Sequence, residues 1–253
     1  MMDLLNRLRL KNKPLYYFGG FNLIFSFGCL LMMLFDDTQI LGINAWIKPM
    51  KFLLTTGIFS FSMAWYLPEL EKPTTSRIYS YVIVFILALE NSIIIYQAWN
   101  GTTSHFNISS PLNGMLFGIM GIAIITLTIW TAYICFLFFR KKDFNAPMTY
   151  IWGIRLGLLF FVIFSLEGGM MVNLMQHTVG ASDGGKGLFF VNWSRQNGDL
   201  RVAHFFGMHS LQILPLTGYF LCKTNRQIML LATLYFLIVT ALLVQAINGI
   251  PLF

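Results

Sequence analysis

Apolar runs of membrane-crossing length, separated by short polar segments, occupy the chain at about 15–35, 50–67, 78–99, 114–139, 149–171, 200–222 and 228–248. An α-helix needs about 20 mostly apolar residues to cross about 30 Å of hydrocarbon. The pattern therefore predicts an all-α, integral membrane bundle of seven transmembrane helices, with residues 1–253 forming a single domain. The first run follows the basic stretch from Arg7 to Lys13 and so mimics a secretory signal. Its length, and the lack of a convincing small-residue cleavage site, predict an uncleaved anchor. The second run is the shortest. Pro49 stands where a first helical turn tolerates proline, and the preceding ILGINAWIKPM is expected to lie along the membrane interface.

Composition sharpens this picture. Only 11% of the residues are charged and 57% are hydrophobic, with a mean hydropathy of +0.68, whereas soluble domains carry about 25% charged residues. No stretch is left for a separate aqueous domain. The net charge of +7 sits in short clusters between apolar runs, with no basic face interleaved with aromatics, so nucleic acid is not an expected partner. The lipid bilayer is. Cys29, Cys135 and Cys222 are far apart and lie in or at the ends of apolar runs, which fits small packing residues rather than a disulfide framework.

The basic residues also predict the orientation. The amino-terminal segment and the loops at 68–77, 140–148 and 223–227 hold eleven Lys and Arg. The alternate side holds five: Lys48, Lys51, Lys186, Arg195 and Arg201. An excess of Lys and Arg marks the cytoplasmic face. The amino terminus is thus expected inside and the carboxy terminus outside, in the cytoplasmic (inner) membrane of a cell. No repeat of the two-half transporter type is evident. The longest loop, 172–199, contains SDGGKG, which lacks the spacing of a phosphate-binding loop. It is expected to fold over the outer mouth.

An ionisable side chain within hydrocarbon is costly and points to function. On the expected topology Glu90 lies about 13 Å below the outer boundary, and Gln97 is two turns above it on the same face. Arg201 is at the outer boundary, His204 one turn down and His209 about 13 Å deep. Glu167 is near the outer end of the fifth run, ahead of Gly168 and Gly169, while His105, His177, Arg195 and Asp199 belong to the outer loops. These placements predict one polar cavity opening outward. Each residue also has a structural reading. Glu90 serves as a protonated interhelical acid, the histidines serve as interhelical or loop contacts, and Arg201 is a surface residue at the start of a helix capped by Asp199.

The strings ENSIIIYQAWNGTTSHFN (90–107) and WSRQNGDLRVAHFFGMHSLQILP (193–215) concentrate the signal. They resemble motifs of a widespread group of bacterial multi-pass, seven-helix membrane proteins without an established activity. The resemblance covers most of the chain and implies only that the two strings form one site.

Three chemistries suit these residues, and enzyme and carrier both stay open. In a redox protein, two imidazoles would hold haem b axially, with Gly207 beside His209 admitting a flat ring. In a membrane-embedded hydrolase, His105, His204 and His209 would ligate zinc. Glu90 and His209 are then the catalytic candidates, and Gln97, Glu167 and Arg201 would bind a cofactor or substrate. The first string is similar to one in the seven-helix alkaline ceramidases, although HxxxxH stands here in place of HxxxH and the zinc-binding aspartate is not evident. His204 and His209, five residues apart, differ by roughly 140° around a helix, so each is expected to meet a different neighbour. In a carrier or receptor-like binder, a small solute would enter from the outer face past Lys51, Arg195 and Arg201, and Glu90 would relay a proton.

Overall fold

The amino-terminal helix α1 (Met2–Lys11) turns at Asn12 into α2 (Lys13–Met32). Asn12 caps α2, its side chain accepting a hydrogen bond from Leu15 N at 3.2 Å, a role suited to a short polar side chain. A computed structural model describes residues 2–184 and 187–252, so the Gly185–Lys186 part of SDGGKG and the Lys186 charge lie outside the described residues. The remaining helices are α3 (Ile47–Tyr66), α4 (Pro73–Trp99), α5 (Pro111–Arg140), α6 (Met148–Leu174), α7 (Leu200–Phe220) and α8 (Asn225–Ile247). A short 3-10 turn, Leu67–Leu70, follows α3.

Each expected apolar run is thus helical, with ends shifted by a few residues. Five helices (α2, α4, α5, α6 and α8) are long and apolar enough to cross a membrane. The chain is therefore mostly helical, as expected of a multi-pass membrane protein. Helices α3 and α7 fall short on apolarity, because α3 carries Lys48 and Lys51 and α7 carries Arg201, His204, His209 and Gln212.

The chain divides into two units, residues 1–127 and 128–253, with the division inside α5. In the first unit, α2 packs closely on α3, which also meets α4. Gly57 makes the α2–α3 approach possible, since a Cβ there would lie 2.8 Å from Leu23 Cδ2 and 3.1 Å from the Gly19 carbonyl. Between α2 and α3, β1 (Gln39–Ile40) and β2 (Ile43–Asn44) form a hairpin. Leu41 and Gly42 both have positive φ at its turn, the geometry of a two-residue hairpin matched to strand twist. ILGINAWIKPM thus forms the turn and second strand of this hairpin and the start of α3.

In the second unit, α6 and α7 are the closest pair. A Cβ at Gly153 would meet the Leu214 carbonyl oxygen at 2.5 Å, one at Gly157 the Ser210 oxygen at 2.8 Å, and one at Gly218 the Thr149 oxygen at 2.3 Å. Small residues let backbones approach this closely within a membrane. Ser210 Oγ adds a hydrogen bond to the Gly157 carbonyl at 3.0 Å. Helix α8 completes the unit, around a core of Phe160, Phe164, Ala203, Leu214, Ala232 and Val239.

Candidate functional site

The segment from α6 to α7 is fastened to its own unit. Met175 ends α6 in the left-handed conformation, and β3 (Thr178–Val179) pairs with β4 (Gly198–Asp199). Trp193 is buried against Phe205 and Phe206 of α7, while a Cβ at Gly198 would lie 2.0 Å from the Ala246 oxygen of α8. Asp183 gathers this segment. It accepts from His177 N and Thr178 N at 3.1 and 3.0 Å and from Thr178 Oγ1 at 2.9 Å, and it pairs with His177 Nδ1. Burial acts to raise its carboxyl, but the bonds from His177 and Thr178 outweigh this and hold it well below the usual carboxylate range.

At the start of α7, Asp199 accepts from Arg201 N at 3.0 Å and caps the helix. The Arg201 guanidinium grips the same carboxylate through both Nε (2.9 Å) and Nη2, and Nη2 also reaches the Asn192 carbonyl. Arg201, the expected cofactor-binding arginine, thus bonds to the residue that caps its own helix.

One turn on, His204 Nδ1 lies 3.1 Å from Glu167 Oε2 of α6. The carboxyl side chain is 4% exposed and the imidazole 29%. Glu167 Oε1 is buried without a hydrogen-bond partner. Gly168 makes room for the ring, because a Cβ there would sit 3.1 Å from His204 Cε1, whereas one at Gly169 would meet nothing within 4 Å. The α6–α7 glycine contacts therefore set the register that brings together two groups 37 residues apart.

His209, five residues on, meets a different neighbour. Its Nδ1 donates to Gln212 Oε1 at 3.2 Å, and its ring stands edge-on to Phe205 with centroids 4.3 Å apart. The space expected beside Gly207 for a flat cofactor is filled by Phe164, whose Cγ would lie 2.0 Å from an added Cβ.

The first unit holds the other candidates. Glu90 is 2% exposed, its Oε1 has no hydrogen-bond partner, and the Lys48 ammonium acts on it through space. Gln97 is tied down, donating from Nε2 to Asn113 Oδ1 at 3.0 Å in a network that continues through Ser109 and Asn107. His105 lies among the rings of Phe52, Phe106 and Phe117, with Nδ1 3.2 Å from Ser104 Oγ. Elsewhere in this unit, Asp36 accepts from Trp46 Nε1 at 2.7 Å and Thr38 N at 2.9 Å. Bonds from Thr38 and then Trp46 lower its carboxyl below the ordinary value.

Among the described residues, no group of three or more His, Cys, Asp or Glu side chains is placed to hold a metal ion. His204 is engaged by one carboxylate and His209 by an amide, so these two members of the expected zinc set face different neighbours. With Phe164 against Gly207, the haem reading loses its ring space too. What the sequence reading did not single out is a buried polar layer in the first unit made by Asn22, Thr56 and Asn91. Its signal is present, as Asn22, Thr56 and Asn91 are uncharged polar residues inside three apolar runs.

Compared with protein-family models, with curated proteins and with solved structures, the chain matches none.

Proposed function

We propose that this chain is a seven-span protein of the cytoplasmic membrane, amino terminus inside and carboxy terminus outside, that carries a small solute in exchange for a proton handled by Glu167 and His204. The observation that carries this reading is the pair itself. One carboxyl oxygen faces an imidazole at 3.1 Å and the other is buried with no partner. A carboxylate inside an apolar helix is costly while charged, and an imidazole is the side chain whose ordinary titration lies nearest neutrality. Together they hold one proton in two alternative places. The partly exposed His204 is the member through which that proton enters and leaves.

The span count is supported by length. Helices α3 and α7, of 20 and 21 residues, reach about 30 Å at about 1.5 Å per residue. Thr56 and Ser60 of α3 and Ser210 of α7 are buried within the protein. The orientation follows from the eleven-to-five distribution of Lys and Arg.

The test is solute uptake into proteoliposomes driven by an imposed pH gradient, using a panel of labelled small organic acids and amino acids. The expected result is a solute whose uptake follows the gradient and falls at least roughly ten-fold in Glu167→Gln, the equivalent of losing one charged hydrogen bond. Gradient-driven uptake unchanged in both Glu167→Gln and His204→Gln contradicts the reading.

A further inference from the structure

In the second unit, the positive charge of Arg155 meets only neutral groups. The residue is 6% exposed, and its Nε and Nη2 donate to the Phe138 and Lys141 carbonyls at 2.9 and 2.7 Å. Both carbonyls belong to the end of α5, where the last C=O groups lack intrahelical partners and a cation is favoured. The guanidinium carbon lies 4.6 Å from the centre of the Trp152 ring and 5.5 Å from that of Phe144. Among the described residues no carboxylate pairs with it. A guanidinium has five N–H groups in a fixed fork. Two are used here, and no other acceptor among the described residues takes a bond from the rest.

The surroundings add to this charge. Lys141 Nζ lies 4.9 Å from the centre of the same Phe144 ring, and Arg140 and Lys142 on either side of it are exposed. Between residues 140 and 155 the sequence holds one acid, Asp143, and it too is exposed. Two cations that share one ring repel each other, so the arrangement is complementary to an anion. A guanidinium held by two carbonyls suits a phosphate in particular, which accepts its N–H groups in parallel. The level in the membrane identifies the source of that phosphate. Helices α5 and α6 are both of membrane-crossing length, and the site lies where one ends and the next begins. Aromatic rings such as Trp152 and Phe144 then stand at the depth of lipid headgroups. A choline headgroup would bring a further cation to the cluster, whereas an anionic one would not.

We infer that Arg155 and Lys141, on either side of Phe144, bind the phosphate of an anionic glycerophospholipid. The lipid supplies the counter-charge that the described residues lack at the α5–α6 turn. The site shares no residue with the Glu167–His204 pair and does not depend on which way the chain faces, so failure of either proposal leaves the other intact.

Purified wild-type protein in a neutral detergent is titrated with phosphatidylglycerol or with phosphatidylcholine of the same acyl chains, and bound lipids are counted by native mass spectrometry. The expected result is a first lipid held about ten-fold more tightly as phosphatidylglycerol. Lys141→Gln keeps the backbone carbonyl that Arg155 uses. It is expected to weaken phosphatidylglycerol about five-fold, the worth of one interfacial cation, and to leave phosphatidylcholine unchanged. Arg155→Gln is expected to abolish the preference. Should that variant not fold, Lys141→Gln and the wild-type comparison decide the matter. Soluble glycerol phosphate, which lacks the acyl chains, is expected not to displace the bound lipid at equal concentration. Equal affinity for the two lipids, a preference undiminished in either variant, or displacement by glycerol phosphate overturns the site.

Discussion

Glu167 and His204 are each visible in the sequence as a polar interruption of an apolar run, but their partnership is not. They are 37 residues apart, and only the register of α6 on α7 makes them neighbours. Local room decides the ring position. Gly168→Ala places a methyl 3.1 Å from His204 Cε1, while Gly169→Ala meets nothing within 4 Å. The first substitution is expected to push the imidazole off Glu167 and shift its ¹⁵N resonances, and the second to leave them in place. Identical spectra for the two would show that the ring is not held against α6. Arg201 was legible in both its roles, because the Asp199-Leu200-Arg201 order is itself a capping pattern. The cap by Asp199 is present, and the Arg201 guanidinium binds the same carboxylate.

Asp183 offers a separate test outside the spans. Its carboxyl is held below the ordinary 3.8. A depressed carboxylate contributes stability that is fully present above its unfolded value and is lost as pH falls through its folded one. Amide protection at His177 and Thr178, read by hydrogen exchange, should therefore survive through pH 4 and fade only in stronger acid. Loss of protection centred at or above pH 4 contradicts the assignment. In Asp183→Asn the same amides should exchange faster even at neutral pH.

At the scale of the elements, apolar run length made the helices legible, because a helix crossing hydrocarbon needs a stretch of fixed extent. Helix α1 was less so: its ten residues are too few to span, and it is held by Leu8 burial and by Lys11 pairing with Glu69 at 3.2 Å. The two-residue strands of both short ribbons are too brief to carry a period. The Gly153–Gly157 spacing, by contrast, carries the small-xxx-small signature of close helix contact, and it accounts for the α6–α7 register. Gly157→Ala and Gly218→Ala put a methyl against backbone, at 2.8 and 2.3 Å. Each is expected to cost about 1–3 kcal/mol as a lowered midpoint of thermal unfolding. Gly114→Ala in α5 meets nothing within 4 Å and should be neutral or stabilising by up to about 1 kcal/mol. Equal effects at all three positions would mean that backbone proximity does not set the α6–α7 pair.

For the whole molecule, the membrane character was carried by composition, and the two-unit division was not. Residues 1–127 and 128–253 part inside α5, where the sequence shows an unbroken apolar run. The proposed seven-span topology predicts that single cysteines at positions 11 and 223, in a background without Cys29, Cys135 and Cys222, react only with reagents that reach the cytoplasm. One at position 195 should react from outside. Labelling of positions 11 and 195 from the same side would reject that topology.

The proposed exchange of a proton at Glu167 and His204 is most directly tested by infrared difference spectroscopy of the purified protein between acid and mildly alkaline pH. The predicted result is a protonated-carboxyl C=O band that appears on acidification, vanishes in Glu167→Gln and shifts in His204→Gln. A wild-type difference spectrum whose carboxyl bands are all retained in Glu167→Gln would show that this side chain exchanges no proton, and would contradict the account.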